Sequence, residues 1–207
     1  MMKKSLIFFC SLLLLGTTTG CQESDDTPEA YPDWQNRNEQ AFQQRYQEAK
    51  DAIAAGKDWM LVRGCLRADY QEGSQIEPTD YVVVQHLGRY IDVVGDNTPY
   101  YTDSVAVHYT GKLIPSTYYP TGLVFDSSFY GNFDPVVSSA YEGKVNGFIE
   151  GFSTVLQHMR RGDHCMVYIP YQLGYGSSGA SSIPAYSMLI FELWLEDFWT
   201  KEIGDRY

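Results

Sequence analysis

Basic residues are the scarce class in this chain: 15 Lys and Arg stand against 26 Asp and Glu among 207 residues, a formal net charge of −11. Such a surface repels polyphosphates and anionic headgroups, so nucleic acid is excluded as a partner, and any hold on a membrane must come from acyl chains rather than a basic patch. Cysteine is also sparse, at four. Cys10 falls in an apolar leader and Cys21 directly follows it, which leaves Cys65 and Cys165 for the folded part. In an oxidising compartment these two can pair; the alternative, two buried free thiols, is favoured because Cys165 alternates with Val167 and Ile169 on an apolar strand face. The four histidines, His86, His108, His158 and His164, lack metal-ligand spacing, so no metal and no other cofactor is expected. The sequence has no internal repeat and no low-complexity tract, and about 175 ordered residues suffice to bury one core.

The apolar run Leu6 to Leu15 is too short to span a bilayer, and it follows Lys3 and Lys4 and precedes the small residues Thr17 to Gly20. Residues 1–20 therefore read as a secretory signal. A small residue directly before Cys21 resembles the end of a bacterial lipoprotein signal, which implies lipidation of Cys21, a membrane partner held through that anchor, and a place in the cell envelope on the periplasmic or surface face. An ordinary signal with an incidental cysteine is the alternative. Removing the signal takes away two lysines and no acid, moving the formal charge from −11 to −13. Glu23, Asp25 and Asp26 belong to an acidic tether over 21–32, either a plain solvated spacer or a sorting tract.

Beyond the tether, Asp33 is a good N-cap and Gly56 a good C-cap for a helix with apolar residues at Trp34, Phe42, Tyr46, Ala49 and Ile53. That stripe packs either on its own chain or on a partner, a homodimer through this helix being one option. Strands are predicted at Tyr81 to Val84 with Leu87, Ser104 to Thr110, Asp163 to Pro170 and Ser187 to Leu195. In the last, Leu189, Phe191, Leu193 and Leu195 share the expected core face. A helix from Phe152 to Arg161 follows from Phe152, Val155, Leu156 and Met159, with Gly162 as its stop. Many strands and one short helix predict an α+β domain.

Five ordered segments carry the functional signal: Val105 to Gly111, Val124 to Ser128, Gly151 to Gly162, Tyr168 to Gly176, and Ile183 to Leu193. Taken singly, their aromatic rings read as core residues and Asp126 as a turn or cap residue. In this order and spacing they resemble the FKBP family of peptidyl-prolyl cis/trans isomerases, with a gapless match from Phe148 to Ala180. The resemblance implies a curved antiparallel sheet wrapped around a short helix, an FKBP-like α+β fold, over 79–197. Residues 33–78 would be an N-terminal helical extension and 198–207 a tail. It also implies a pocket for a proline ring, with Tyr109, Phe125, Phe148, Phe152 and Phe191 as its rings. Asp126, expected to be buried among them, and Tyr175 would orient substrate, and the Ile149 N–H would hold a substrate carbonyl.

Four departures from the family pattern bear on activity, one being Ala180 where the family's small loop carries a histidine. Phe152 stands where the family usually has tryptophan, keeping a ring but losing an indole N–H and floor area. The arginine that usually neighbours the aspartate is missing. The Ser127 to Asn146 loop is longer than usual, leaving Phe133 and Val136 as unassigned candidates for the pocket. The implied function is prolyl isomerisation in proline-containing polypeptides, assisting the folding of exported proteins. A binding module that grips a partner protein or a surface glycan is one rival, and a chaperone acting through the N-terminal helix is another.

Overall fold

A computed structural model describes residues 29–67, 75–91 and 97–200. The expected signal segment, Cys21, the acidic residues after it and residues 201–207 lie outside the described residues. Nine principal elements follow in order: α1 (Trp34–Ala54), β1 (Trp59–Arg63), β2 (Tyr81–Arg89), β3 (Ser104–Lys112), β4 (Val124–Ser127), β5 (Tyr141–Lys144), α2 (Glu150–Leu156), β6 (Asp163–Ile169) and β7 (Leu189–Trp199). The strands form one antiparallel sheet in the order β1-β2-β6-β7-β3-β4. Along the outer edge of β3, β5 pairs with Ser104 to Val107 and β4 with Thr110 to Lys112. These two short strands carry the pocket residues beyond β3.

Consecutive strand residues point to opposite faces, and Tyr168 and Ile169 show what covers each. Against Ile169 lies α2, so close that a Cβ on Gly151 would come 2.3 Å from the Ile169 side chain. Over the Tyr168 ring sits the Arg45 guanidinium of α1, 5.0 Å from its centroid. The two helices thus lie on opposite faces, and β2, with both its faces covered, buries Val82, Val83 and Val84 completely. The extension is joined to the sheet as well, since β1 pairs with β2 over Trp59 to Arg63. The alternation expected of β7 is present on the α2 face, where Leu189, Phe191, Leu193 and Leu195 are buried. Met188 and Trp194, on the other face, are buried too.

Trp194 is covered by the long loop after β4. In register across three strands lie His108, Trp194 and His164. Phe133 stacks on Trp194 with centroids 4.4 Å apart, and His164 also stacks on Trp194, at 4.5 Å. Phe129 closes the cluster at 5.8 Å from Trp194. Phe133 is therefore a lid on the outer face and takes no part in the pocket, and Val136 is fully solvent-facing. Rings this large are driven to the nearest apolar surface, and for Phe133 that surface is Trp194.

The predicted α1 is present, but Asp33 adopts a left-handed backbone (φ 49°) and makes no side-chain cap on a backbone N–H; its carboxylate instead accepts from Asn36 Nδ2 at 2.8 Å. The buried stripe runs Trp34, Asn38, Phe42, Ala49, Ala52, while Ile53 is exposed. It is seated on the protein's own sheet. Trp34 Nε1 donates to Ser187 Oγ at 2.9 Å, and Asn38 Oδ1 accepts from the Met188 N–H at 2.8 Å while its Nδ2 donates to the Trp34 carbonyl at 2.7 Å. Replacing Asn38 with Ala strands a buried N–H at Met188, which costs about 1–3 kcal/mol. Thermal unfolding is expected to show a lower midpoint for Asn38→Ala, and an unchanged midpoint would contradict this docking.

The second helix ends early, at Leu156 rather than Arg161. Its last amides switch to shorter bonds, His158 N–H to the Val155 carbonyl and Met159 N–H to Leu156, before Gly162 (φ 84°) turns the chain into β6 and donates to the Leu195 carbonyl. Tightening of a final turn in this way satisfies orphan carbonyls without further helix. Cys65 and Cys165 are both free; Cys165 is fully buried and burial pushes its thiol pKa up, whereas Cys65 is half-buried.

Candidate active site

The innermost ring of the site is Phe152, set in the first turn of α2 and only 2% exposed. Phe148 stacks on it at 4.7 Å with an interplanar angle of 22°, while Phe191 and Tyr109 meet it edge-on at 5.1 and 5.7 Å. Offset and edge-on pairs are the arrangements that aromatic quadrupoles favour. From β4, Phe125 meets Phe191 edge-on at 5.5 Å. Gly111 on β3 makes that meeting possible, because a Cβ there would stand 2.6 Å from both the Phe125 and the Phe191 ring.

Above these rings opens a hollow of about 830 Å³. Tyr109, Phe125, Asp126, Phe148, Ile149, Phe152, Tyr175 and Phe191, all eight residues singled out in the sequence, line it together. Its floor is closed, since Tyr109, Phe152 and Phe191 are packed into one another. Its mouth is open. Tyr141, from β5, is 49% exposed and stands edge-on to both Phe148 (5.9 Å) and Tyr109 (6.2 Å), forming a wall that the sequence reading missed. Ser127, Ser128, Ser139 and Ala140 complete the same side. The sequence carried no clear signal for Tyr141, because its four-residue strand is fixed by pairing with distant Val107.

Asp126 departs from expectation, because its side chain is exposed at the mouth and not buried. Its Oδ2 accepts from the Tyr109 hydroxyl at 2.8 Å. Burial, followed by that hydrogen bond and the Asp126 charge, pushes the Tyr109 hydroxyl pKa well above the usual tyrosine value, so it remains a donor. The Tyr175 hydroxyl pKa is also raised, by burial first and then by the Asp126 charge, which places both groups in one electrostatic neighbourhood. Backbone bonds fix the frame: the Tyr109 N–H donates to Ser128 Oγ at 2.9 Å and its carbonyl accepts from the Ser128 N–H at 3.0 Å. Ile149 is the N-cap of α2 with an extended backbone, and among the described residues its N–H has no acceptor. The hollow thus offers a ring-lined floor, one carboxylate, a phenol and a free backbone donor.

A family model described as FKBP-type peptidyl-prolyl cis-trans isomerase matches residues 95–196. FK506-binding protein 2 of Kluyveromyces lactis is 38% identical over 105 residues, which cover 69% of that protein and 50% of this chain. The chain belongs to the FKBP-type peptidyl-prolyl cis-trans isomerase family. Among bacterial members, the FKBP-type 22 kDa isomerase of Escherichia coli is 44% identical over 96 residues, 46% of this chain and 41% of that one. A probable FKBP-type isomerase of Haemophilus influenzae is 36% identical over 132 residues, 62% of this chain and 47% of the other. The chain spans less than half the length of these two FKBP-type relatives.

Proposed function

We propose that the protein catalyses cis/trans isomerisation of Xaa-Pro bonds in polypeptides, with exported proteins as clients and Cys21 as a lipid anchor in the cell envelope. The barrier to rotation, about 18–20 kcal/mol, comes from amide resonance, and water stabilises the polar resonance form that must be lost. A pocket lowers it by taking the amide out of water and binding the twisted form better than either planar one. No nucleophile or proton relay is needed. Here the pyrrolidine ring would rest on Phe152 between Tyr109 and Phe191, the Ile149 N–H and the Tyr175 hydroxyl would hold flanking carbonyls, and Asp126, held by Tyr109, would orient the substrate at the mouth. The observation that carries this reading is the open hollow of about 830 Å³ with a single carboxylate beside its rings.

NMR exchange on a tetrapeptide such as Ala-Leu-Pro-Phe tests it. Catalytic amounts of the protein are expected to accelerate interconversion, and Asp126→Val to reduce kcat/KM about tenfold or more, the scale of removing one transition-state hydrogen bond or charge contact. A wild-type rate equal to the spontaneous one would refute the proposal. A second reading, a binding module without turnover, is favoured by one observation: Tyr109, Phe152 and Phe191 are at most 9% exposed, so the floor offers little free ring surface. It predicts peptide binding with no acceleration. The chaperone reading has less support, because most of the apolar stripe of α1 is covered by the chain's own sheet and, apart from Ile53 and Ala54, the exposed residues of the helix are polar.

A further inference from the structure

We propose that the mouth of this pocket selects by charge, favouring Xaa-Pro substrates with a cationic residue next to the proline and disfavouring acidic ones; this rests on the isomerase reading above. Of the fourteen residues that line the hollow, one is a carboxylic acid and none is Lys, Arg or His. Asp126 is exposed, and its charge is met by a single neutral partner: the Tyr109 hydroxyl occupies Oδ2, and among the described residues no basic group pairs with either oxygen. Among the described residues no cation near the rim pairs with it: Lys112 follows Gly111, whose Cβ direction meets the pocket rings, so the Lys112 side chain points to the other face of β3. Lys144 lies on β5 at odd spacing from Tyr141, whose ring lines the pocket, so the two point to opposite faces of the strand. Arg67, the cation paired with Glu150 at the start of α2, is also bound to Asp80.

The charge therefore acts outward, into the space a substrate backbone must enter. Tyr175 lies within its reach, its hydroxyl pKa raised first by burial and then by this charge. The chain as a whole carries the same sign, with a formal charge of −11. A field of this kind raises the local concentration of cationic peptide and lowers that of anionic peptide, and salt screens it over about 10 Å at 0.1 M. An exposed ion pair contributes up to about fivefold in affinity. Attraction of one peptide and repulsion of the other combine, so a Lys peptide is expected to exceed its Glu counterpart about tenfold.

The test measures kcat/KM for Ala-Xaa-Pro-Phe and Ala-Leu-Pro-Xaa peptides with Xaa as Lys, Leu or Glu, at low and at high salt. In at least one of the two positions Lys is expected to exceed Glu about tenfold at low ionic strength, the ratio shrinking in high salt. In Asp126→Asn the ratio is expected to fall to the small, wholly salt-sensitive remainder set by net charge, whatever happens to absolute turnover. Equal kcat/KM for Lys and Glu peptides at both positions would overturn the proposal, as would a ratio undiminished in Asp126→Asn. Turnover of the Leu peptides without any charge preference would sink the selectivity alone and leave the isomerase reading intact. If no peptide turns over, the isomerase reading fails, and the same Lys-to-Glu ratio is read from Kd values by NMR titration.

Discussion

Phe152→Ala is expected to be the most damaging single change in the protein, lowering stability by about 3–5 kcal/mol, the usual cost of truncating a buried phenylalanine. The ring is 2% exposed and is contacted by three others, Phe148, Phe191 and Tyr109, at 4.7 to 5.7 Å, so its removal takes the support from these three at once. For a chain this size the thermal midpoint should fall roughly 6–20 °C. Because loss of turnover in a partly unfolded variant says little, Phe152→Leu serves beside it, retaining volume while removing the flat face. It should stay folded and lose most of its kcat/KM. A Phe152→Ala variant with a midpoint within about 1 °C of wild type and normal kcat/KM would mean that the ring is neither core nor floor.

Gly111→Ala is expected to act on the site more than on the fold. The added methyl would meet the Phe125 and Phe191 rings at 2.6 Å, well inside contact distance, and Phe191 has no room to retreat because it is 5% exposed and braced by Phe152. Overpacking of this kind costs about 1–3 kcal/mol, against which alanine recovers about 0.5–1 kcal/mol of the chain entropy that glycine loses in a strand. The net effect on stability is thus modest. The two rings must move apart, and misplacement of a binding wall by about 1 Å can cost a hundredfold in rate. A fall in kcat/KM of tenfold or more with a change in midpoint of only a few degrees is the expected pattern, measured by peptide isomerisation and thermal unfolding on one preparation. Unchanged kcat/KM would show that the rings at this end of the pocket do not contact substrate.

The elements legible in the sequence are those whose burial follows from local pattern. In β7 the alternation of Leu189, Phe191, Leu193 and Leu195 names its core face, and α1 announces itself through its apolar spacing and the glycine at its end. Eight of the residues that line the hollow were legible through the resemblance of five ordered segments to the FKBP family, with its gapless stretch from Phe148 to Ala180. What was not legible depends on distant partners. Trp59–Arg63 and Tyr141–Lys144 are too short to show a period, and each is a strand only because β2 or β3 offers a free edge. Phe133 was a candidate for the pocket because it lies in the lengthened Ser127 to Asn146 loop; it went to the other face because His108, Trp194 and His164 form an aromatic row there. Asn38 breaks the apolar stripe of α1 yet is buried, since its amide satisfies the Met188 N–H, a donor 150 residues away. Asp126 was expected among the rings, whereas a carboxylate with one hydrogen bond costs too much to bury and sits at the rim.

The most direct measurement is a crystal structure of the protein with a bound Xaa-Pro peptide. The account predicts that the pyrrolidine ring lies against Phe152 between Tyr109 and Phe191, with the Ile149 N–H and the Tyr175 hydroxyl within hydrogen-bond distance of peptide carbonyls. A peptide bound elsewhere, with this hollow left filled only by water, would contradict it.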